Sequence, residues 1–212
     1  MNKDIFLNNE GNNFFSRNLD KLDNKDDVIL KKLMNIELSK MNILEIGCSN
    51  GWRLNELNNL FPDNNFFGLD PSKDAIDYGN QNYNKISFKV GTCDNMNYED
   101  NQFDIILIPF VFMYIDRNLL LKSVSEIDRI LKNNGRLIIT DFYCNRQKKN
   151  KYKHVENAFI YKQNYFEIFL SSKNYFLEKL ETFSHNTSAD TNIYDDTCFY
   201  VELKKDLSNL FD

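Results

Sequence analysis

A chain of 212 residues, 42 % apolar and rich in aromatics with 18 Phe and 11 Tyr, fits one domain with a sizeable core and room for a small appendage. Its net charge of −5 gives no general reason to expect a nucleic-acid partner, and no apolar run approaches the roughly 20 residues that span a bilayer. Cys48, Cys93, Cys144 and Cys198 form no CxxC pair, so neither a zinc site nor a redox dithiol is suggested; scattered thiols and an N-terminus without an apolar leader point to the cytoplasm.

Residues up to about Lys40 read as helical, with Val28, Ile29, Leu33 and Ile36 forming a stripe suited to covering a sheet edge. Strands and helices then alternate, the mark of an α/β chain. Asn42 to Ile46 reads as a strand, and Gly51 to Phe61 as a helix supplying Trp52, Leu54, Leu57 and Leu60. Asn65 to Leu69 is a second strand, and Ser72 can cap a helix through Tyr78. Ile86 to Val90 is a third, with Ile86, Phe88 and Val90 facing inward. Phe103 to Pro109 contains the unbroken run Ile105 to Ile108, expected of a central strand covered on both faces. Leu120, Val124, Ile127 and Leu131 share one helical stripe, which Asn133-Asn134-Gly135 ends, with Asn134 or Gly135 as the left-handed cap. Arg136 to Thr140 is a fifth strand and Tyr165 to Leu170 a helix. Tyr175 to Phe183 and Cys198 to Leu203 read as strands with no good helix between them, predicting an antiparallel pair, since parallel neighbours need a crossover.

Charge is unevenly spread. Arg117 through Lys179 holds thirteen basic and six acidic residues, net +7, which leaves −12 for the rest. The densest stretch, Arg146 to Lys153, is either a solvated loop or a landing site for an anionic substrate.

Three polar elements fall at the ends of successive strands. The turn from Gly47 to Gly51 has G-x-x-x-G spacing, a poor pyrophosphate cradle compared with G-x-G-x-x-G, yet open enough for an adenosine ligand to lie across the strand ends. Asp70 ends the second strand, where a carboxylate can hold a ribose through its two hydroxyls. Gly91-Thr92-Cys93-Asp94-Asn95 follows the third, where a carboxylate or amide can accept from an adenine amino group. Each alone also reads as an ordinary turn; in chain order they form a nucleoside-binding signature.

The strings Ile43-Leu44-Glu45-Ile46-Gly47-Cys48-Ser49-Asn50-Gly51, Gly68-Leu69-Asp70, Gly91-Thr92-Cys93-Asp94, Phe103-Asp104-Ile105-Ile106 and Leu131-Lys132-Asn133-Asn134-Gly135-Arg136-Leu137-Ile138-Ile139 resemble the class I S-adenosylmethionine-dependent methyltransferases over about Asn42 to Asp141. The resemblance implies a doubly wound, Rossmann-like sheet of seven mostly parallel strands with the last antiparallel, and S-adenosylmethionine as cofactor. It implies that Glu45, Gly47 and Gly51, with Cys48 and Ser49 between, border the methionine part; that Asp70, followed by Pro71, holds the ribose; that Asp94 and Asn95 meet the adenine; and that Pro109 completes the cofactor set. The chain departs from the commoner E-x-G-x-G-x-G pattern, with Ser49 and Trp52 where glycines often stand. More loosely, Phe14-Phe15-Ser16-Arg17-Asn18 and the stretch His154 to Tyr165 look like small methyltransferases of bacterial surface-polysaccharide and sugar biosynthesis. That likeness implies a helical lid over residues 1–40 with Arg17 at the cofactor, a methyltransferase domain over 41–212, an acceptor-side insertion over 142–174, and a sugar or nucleotide sugar as acceptor.

Methyl transfer is an in-line displacement that needs an excluded solvent, a positioned acceptor and sometimes a base. His154, with an unperturbed pKa near ~6.5, is the candidate base, or else a surface histidine beside lysines; His185 sits in a polar stretch. Many amino-group methyltransferases carry Asn or Asp, Pro-Pro and an aromatic after the fourth strand. This chain has Ile108-Pro109-Phe110-Val111-Phe112-Met113-Tyr114, which disfavours nucleobase or glutamine-amide acceptors. Phe110, Tyr114, Tyr161 and Lys162 are the expected acceptor contacts. The expected partner is a small-molecule acceptor, possibly anionic. The alternatives are a scaffold that kept the fold without transfer, and a nucleic-acid methyltransferase using the lysine run.

Overall fold

In a computed structural model of the chain, which describes residues 2–22, 26–184 and 197–208, the chain opens with α1 (Asn2–Ile5), a π-helical stretch (Phe6–Glu10) and α2 (Gly11–Asn18), then α3 (Val28–Leu33). β1 (Asn42–Ile46), α4 (Trp52–Leu60), β2 (Asn65–Asp70), α5 (Lys73–Asn82), β3 (Ile86–Val90), β4 (Phe103–Pro109), α6 (Leu120–Ile130) and β5 (Leu131–Phe142) follow. A hairpin of β6 (Lys148–Lys151) and β7 (Phe159–Lys162), the short α7 (Phe166–Ser171), β8 (Tyr175–Ser184) and β9 (Thr197–Lys205) complete the described elements.

Seven strands form one sheet in the order β3-β2-β1-β4-β5-β9-β8. The first five pair in parallel, and β9 runs antiparallel to both β5 and β8. The last described strand therefore lies inside the sheet and β8 forms its edge. Side chains of successive strand residues point to opposite faces, and the two faces carry separate cores. Leu44, Ile106, Ile108, Leu137, Ile139 and Val201 pack with Ile127 and Ile130 of α6 on one side. Ile43, Ile105, Leu107, Ile138 and Tyr200 pack with α3 and α4 on the other. Ile105 to Ile108 are at most 2 % exposed, as a strand covered on both faces requires. No helix among the described residues is long and apolar enough to cross a membrane.

Five local expectations are corrected. Ile29, Leu30 and Leu33 of α3 cover a face of the sheet and not its edge. Val90 is 48 % exposed, because β3 is an edge strand and its end projects past the core. The α6 helix stops at Ile130: Leu131 is already extended (φ −81°, ψ 129°), fully buried, and paired with Phe103. Asn134 does take a left-handed φ of 62°, but inside the irregular start of β5 and not as a helix cap. The lysine run is not a loop, since Lys148–Lys151 is a strand paired with Phe159–Lys162.

Candidate functional site

The turn after β1 visits the left-handed region three times, at Gly47 (φ 75°), Ser49 (φ 51°) and Gly51 (φ 80°). The amides of Gly47 and Cys48 donate to the carbonyl of Leu69 at 2.7 and 3.2 Å, which seats the turn on β2. Asp70 locks it. One carboxylate oxygen accepts the Ser49 amide and the other the Ser72 amide, both at 2.8 Å, so a single side chain joins the turn to the start of α5. Burial pushes the Asp70 carboxyl up to about 6, against the pull of those two amides.

A cavity of about 640 Å³ opens over the C-terminal ends of the parallel strands, where ligands bind in open α/β sheets. Gly47, Ser49, Asp70, Pro71, Thr92 and Asp94 line one end, and Pro109, Phe110, Tyr114 and Phe142 reach the other. Asn2, Lys3, Phe6 and Phe14 close it from the N-terminal segment, and Lys151, Tyr152, Lys153 and His154 from the hairpin. The sequence-based candidates Gly47, Ser49, Asp70, Pro71, Asp94, Pro109, Phe110, Tyr114 and His154 thus meet around one space. Its volume lies within the ~300–1,000 Å³ usual for ligand sites. Each Asp70 oxygen, having accepted one amide, retains acceptor capacity for a hydroxyl.

Other candidates do not line the cavity. Glu45 is fully buried beneath the turn and paired with Arg53, whose guanidinium also grips Asp27 at 2.9 and 3.0 Å. Cys48 is buried, its sulfur 3.4 Å from the Ser49 carbonyl. Gly51 is needed for packing: a Cβ there would stand 2.3 Å from the Phe88 ring. Asn95 faces solvent. Arg17 turns to Glu10 and to the Tyr152 hydroxyl. Tyr161 covers the Arg117 guanidinium at 4.4 Å, and the Lys162 ammonium sits 3.8 Å from the Phe142 ring centre, with 8 % of the residue exposed. His185 lies outside the described residues.

Several contributors had no sequence signal. The Asp116 carboxylate accepts the backbone amides of Asn2 (2.9 Å) and Lys3 (3.0 Å), and the Asn2 side-chain amide donates to the carbonyls of Tyr114 (2.9 Å) and Phe159 (2.6 Å). These bonds fasten the N-terminal segment across the strand ends. The Lys3 ammonium reaches Asp94 at 2.7 Å, and Thr92 donates to the other Asp94 oxygen at 2.7 Å. Burial alone would raise the Asp94 carboxyl; the bonds from Lys3 and Thr92 outweigh it and hold the carboxyl below its ordinary value. Asp141, at the end of β5, accepts the amides of Phe142 (2.8 Å) and Met113 (3.2 Å) and so braces the turn after β4; burial pushes it up to about 7. A polar residue ending the apolar run of the fifth strand was the one hint of it.

Residues 37–205 match the methyltransferase domain family. Among curated proteins the chain is 30 % identical over 141 residues to O-methyltransferase 3 of Dictyostelium discoideum, covering 61 % of this chain and 32 % of that protein. It is 25 % identical over 174 residues to the ubiquinone/menaquinone biosynthesis C-methyltransferase UbiE of Campylobacter jejuni, covering 70 % of this chain and 72 % of that one. The chain spans about a third of the length of the first curated relatives it matches. An S-adenosylmethionine-dependent methyltransferase of Methanosarcina mazei superposes with a TM-score of 0.67 at 16 % identity, over 83 % of this chain and 97 % of that one. One from Aquifex aeolicus gives 0.62 at 18 % identity, over 89 % and 97 %. At these identities the superpositions bear on the fold.

Proposed function

The chain belongs to the class I S-adenosylmethionine-dependent methyltransferases, and from that premise we propose that it transfers the cofactor's methyl group to a small organic acceptor held at the far end of the cavity. One observation carries the reading: Asp70 and Asp94, at the ends of neighbouring strands, face the same enclosed space as the aromatic and basic side chains of the hairpin. The bound cofactor would supply an electrophilic methyl group on a sulfonium. Gly47 and Ser49 would border its methionine part, Asp70 would take the ribose hydroxyls, and Asp94 with Thr92 would meet the adenine edge. Phe110 and Tyr114 would hold the acceptor, and His154 would take a proton where the acceptor must lose one.

Residues 1–40 act in this reading as the lid, which the position of Asn2, Lys3, Phe6 and Phe14 over the cavity supports. Residues 142–174 act as the acceptor side. An anionic acceptor has support in Lys151 and Lys153, which line the cavity, whereas Lys148 and Lys149 do not. A sugar or nucleotide sugar is favoured only by the looser likeness of His154 to Tyr165, and the names of the relatives add nothing to it. The test is calorimetric titration with S-adenosylmethionine and S-adenosylhomocysteine. Micromolar binding that Asp70→Ala abolishes supports the proposal, and no binding of either by folded protein refutes it.

A further inference from the structure

Four rings that line the cavity pack against one another into an aromatic wall that methyl transfer as such does not require. Phe6 and Phe14 come from the N-terminal segment, Tyr114 from the turn after β4, and Tyr152 from the hairpin; all four line the cavity. Tyr114 is the hub, with ring centroids 5.1 Å from Phe6, 5.7 Å from Tyr152 and 6.3 Å from Phe14. Phe6 and Tyr152 close the set at 6.0 Å. The rings are tilted or edge-on to one another and are not collapsed into a stack. Such a wall offers a flat π-surface edge-to-face and offset contacts that a saturated ring of equal size cannot use.

The charges around the wall are unequal. Glu10 is matched by Arg17 and by the Tyr152 hydroxyl at 2.7 Å, and Asp116 by two backbone amides. Lys151 and Lys153 line the same cavity beside Tyr152 and form no ion pair with any described residue. The carboxylates here are internally satisfied, whereas Lys151 and Lys153, both exposed, have no carboxylate partner among the described residues.

We infer that the cavity takes a flat aromatic ring bearing a carboxylate or phosphate, the ring held by Phe6, Phe14, Tyr114 and Tyr152 and the anion by Lys151 and Lys153. The inference rests on the methyl-transfer reading for what is done to that ligand, but not for its binding. The aromatic wall selects the ring, and the lysines select the charge.

The test is a set of titrations at saturating S-adenosylhomocysteine and again without it. The probes are 4-hydroxybenzoate, phenyl phosphate, 4-hydroxybenzamide, trans-4-hydroxycyclohexanecarboxylate and glucose 1-phosphate. The aromatic anions should bind about tenfold more tightly than the neutral amide and the saturated acid, the order of two or three ring contacts. Whichever aromatic anion binds better tells carboxylate from phosphate. Tyr114→Leu should erase the preference for the ring, and Lys151→Gln with Lys153→Gln the preference for charge; Phe14→Leu stands in if Tyr114→Leu does not fold. Equal binding of all probes, binding of glucose 1-phosphate alone, or no binding up to millimolar concentration overturns the inference while the nucleoside still binds. If the nucleoside itself fails to bind, the methyl-transfer reading falls, and the titrations without it still decide whether the wall selects aromatic anions.

Discussion

The Lys3 ammonium lies 2.7 Å from the carboxylate of Asp94, an ion pair that ties the first helix to the loop after β3. The two partners are 91 residues apart in sequence, and both line the cavity. The residue expected to meet the adenine is therefore also a latch for the segment above it.

A pair of this kind, with Asp94 buried and Lys3 part-exposed, is worth about 1 kcal/mol, or roughly fivefold in a rate. Lys3→Met is expected to speed the release of S-adenosylhomocysteine by about that factor in stopped-flow measurements. Added salt should speed release from the native protein more than from the variant. Equal release rates would mean that the latch does not govern exit.

The triad of Glu45, Arg53 and Asp27 joins β1, α4 and the cap of α3 beneath the site. Removing one member of a buried ionic group strands the others, at a cost of about 3–5 kcal/mol. Arg53→Met should lose stability on that scale in urea unfolding. Glu45→Gln should lose less, because Asp27 still pairs with the guanidinium. Equal losses would show that Asp27 contributes little.

Asp70 is expected to carry the pH dependence of cofactor binding. Burial lifts its carboxyl from the ordinary ~3.9 to about 6, so between those values the folded chain holds a proton that the unfolded chain has released. Where the native state binds more protons, stability falls as pH rises, so this group favours the fold most below about pH 4 and the advantage is gone above about pH 6. A ligand donating hydroxyls to the ionised carboxylate acts in the opposite sense. Affinity for S-adenosylhomocysteine should rise from pH 5 to 7, with proton release near pH 6 visible as a buffer-dependent binding enthalpy. Asp70→Asn should flatten the profile and weaken binding throughout, since an amide nitrogen cannot accept the Ser49 or Ser72 amide.

Gly51 combines a φ of 80° with a Cβ position 2.3 Å from the Phe88 ring. Gly51→Ala is expected to cost about 2–3 kcal/mol, part backbone strain and part collision. Adding Phe88→Leu should restore the collision part and leave the strain. A double variant no more stable than Gly51→Ala would place the whole cost in the backbone.

What the sequence made legible follows from where the signal is local. The unbroken run Ile105 to Ile108 announced a strand covered on both faces, and Asp70 and Asp94, standing just past apolar runs, announced the strand ends over which the cavity opens. The roof was illegible for the same reason inverted. Asn2, Lys3 and Phe6 have no local pattern, and their position depends on Asp116, Tyr114 and Phe159, all more than a hundred residues away. Glu45 and Gly51 were assigned to the cofactor from their motif, yet one holds Arg53 and the other makes room for Phe88. A motif identifies which residues a turn needs, and packing decides whether the need comes from ligand or core. The Leu131 stripe misled because a fully buried leucine satisfies a helix or a strand equally, and pairing with Phe103 settled it.

The position of β9 bears on synthesis as well as on architecture. This strand, with Phe199, Tyr200, Val201 and Leu203 all fully buried, comes after every other described strand yet sits between two of them. While a ribosome is still making it, β5 has an open edge along Arg136–Phe142 and β8 has no neighbour to pair with. Such unpaired edges invite pairing with other chains. A nascent chain stalled before Thr197 should therefore be the species most prone to associate and most in need of a chaperone, even though every described cavity-lining residue has by then been made.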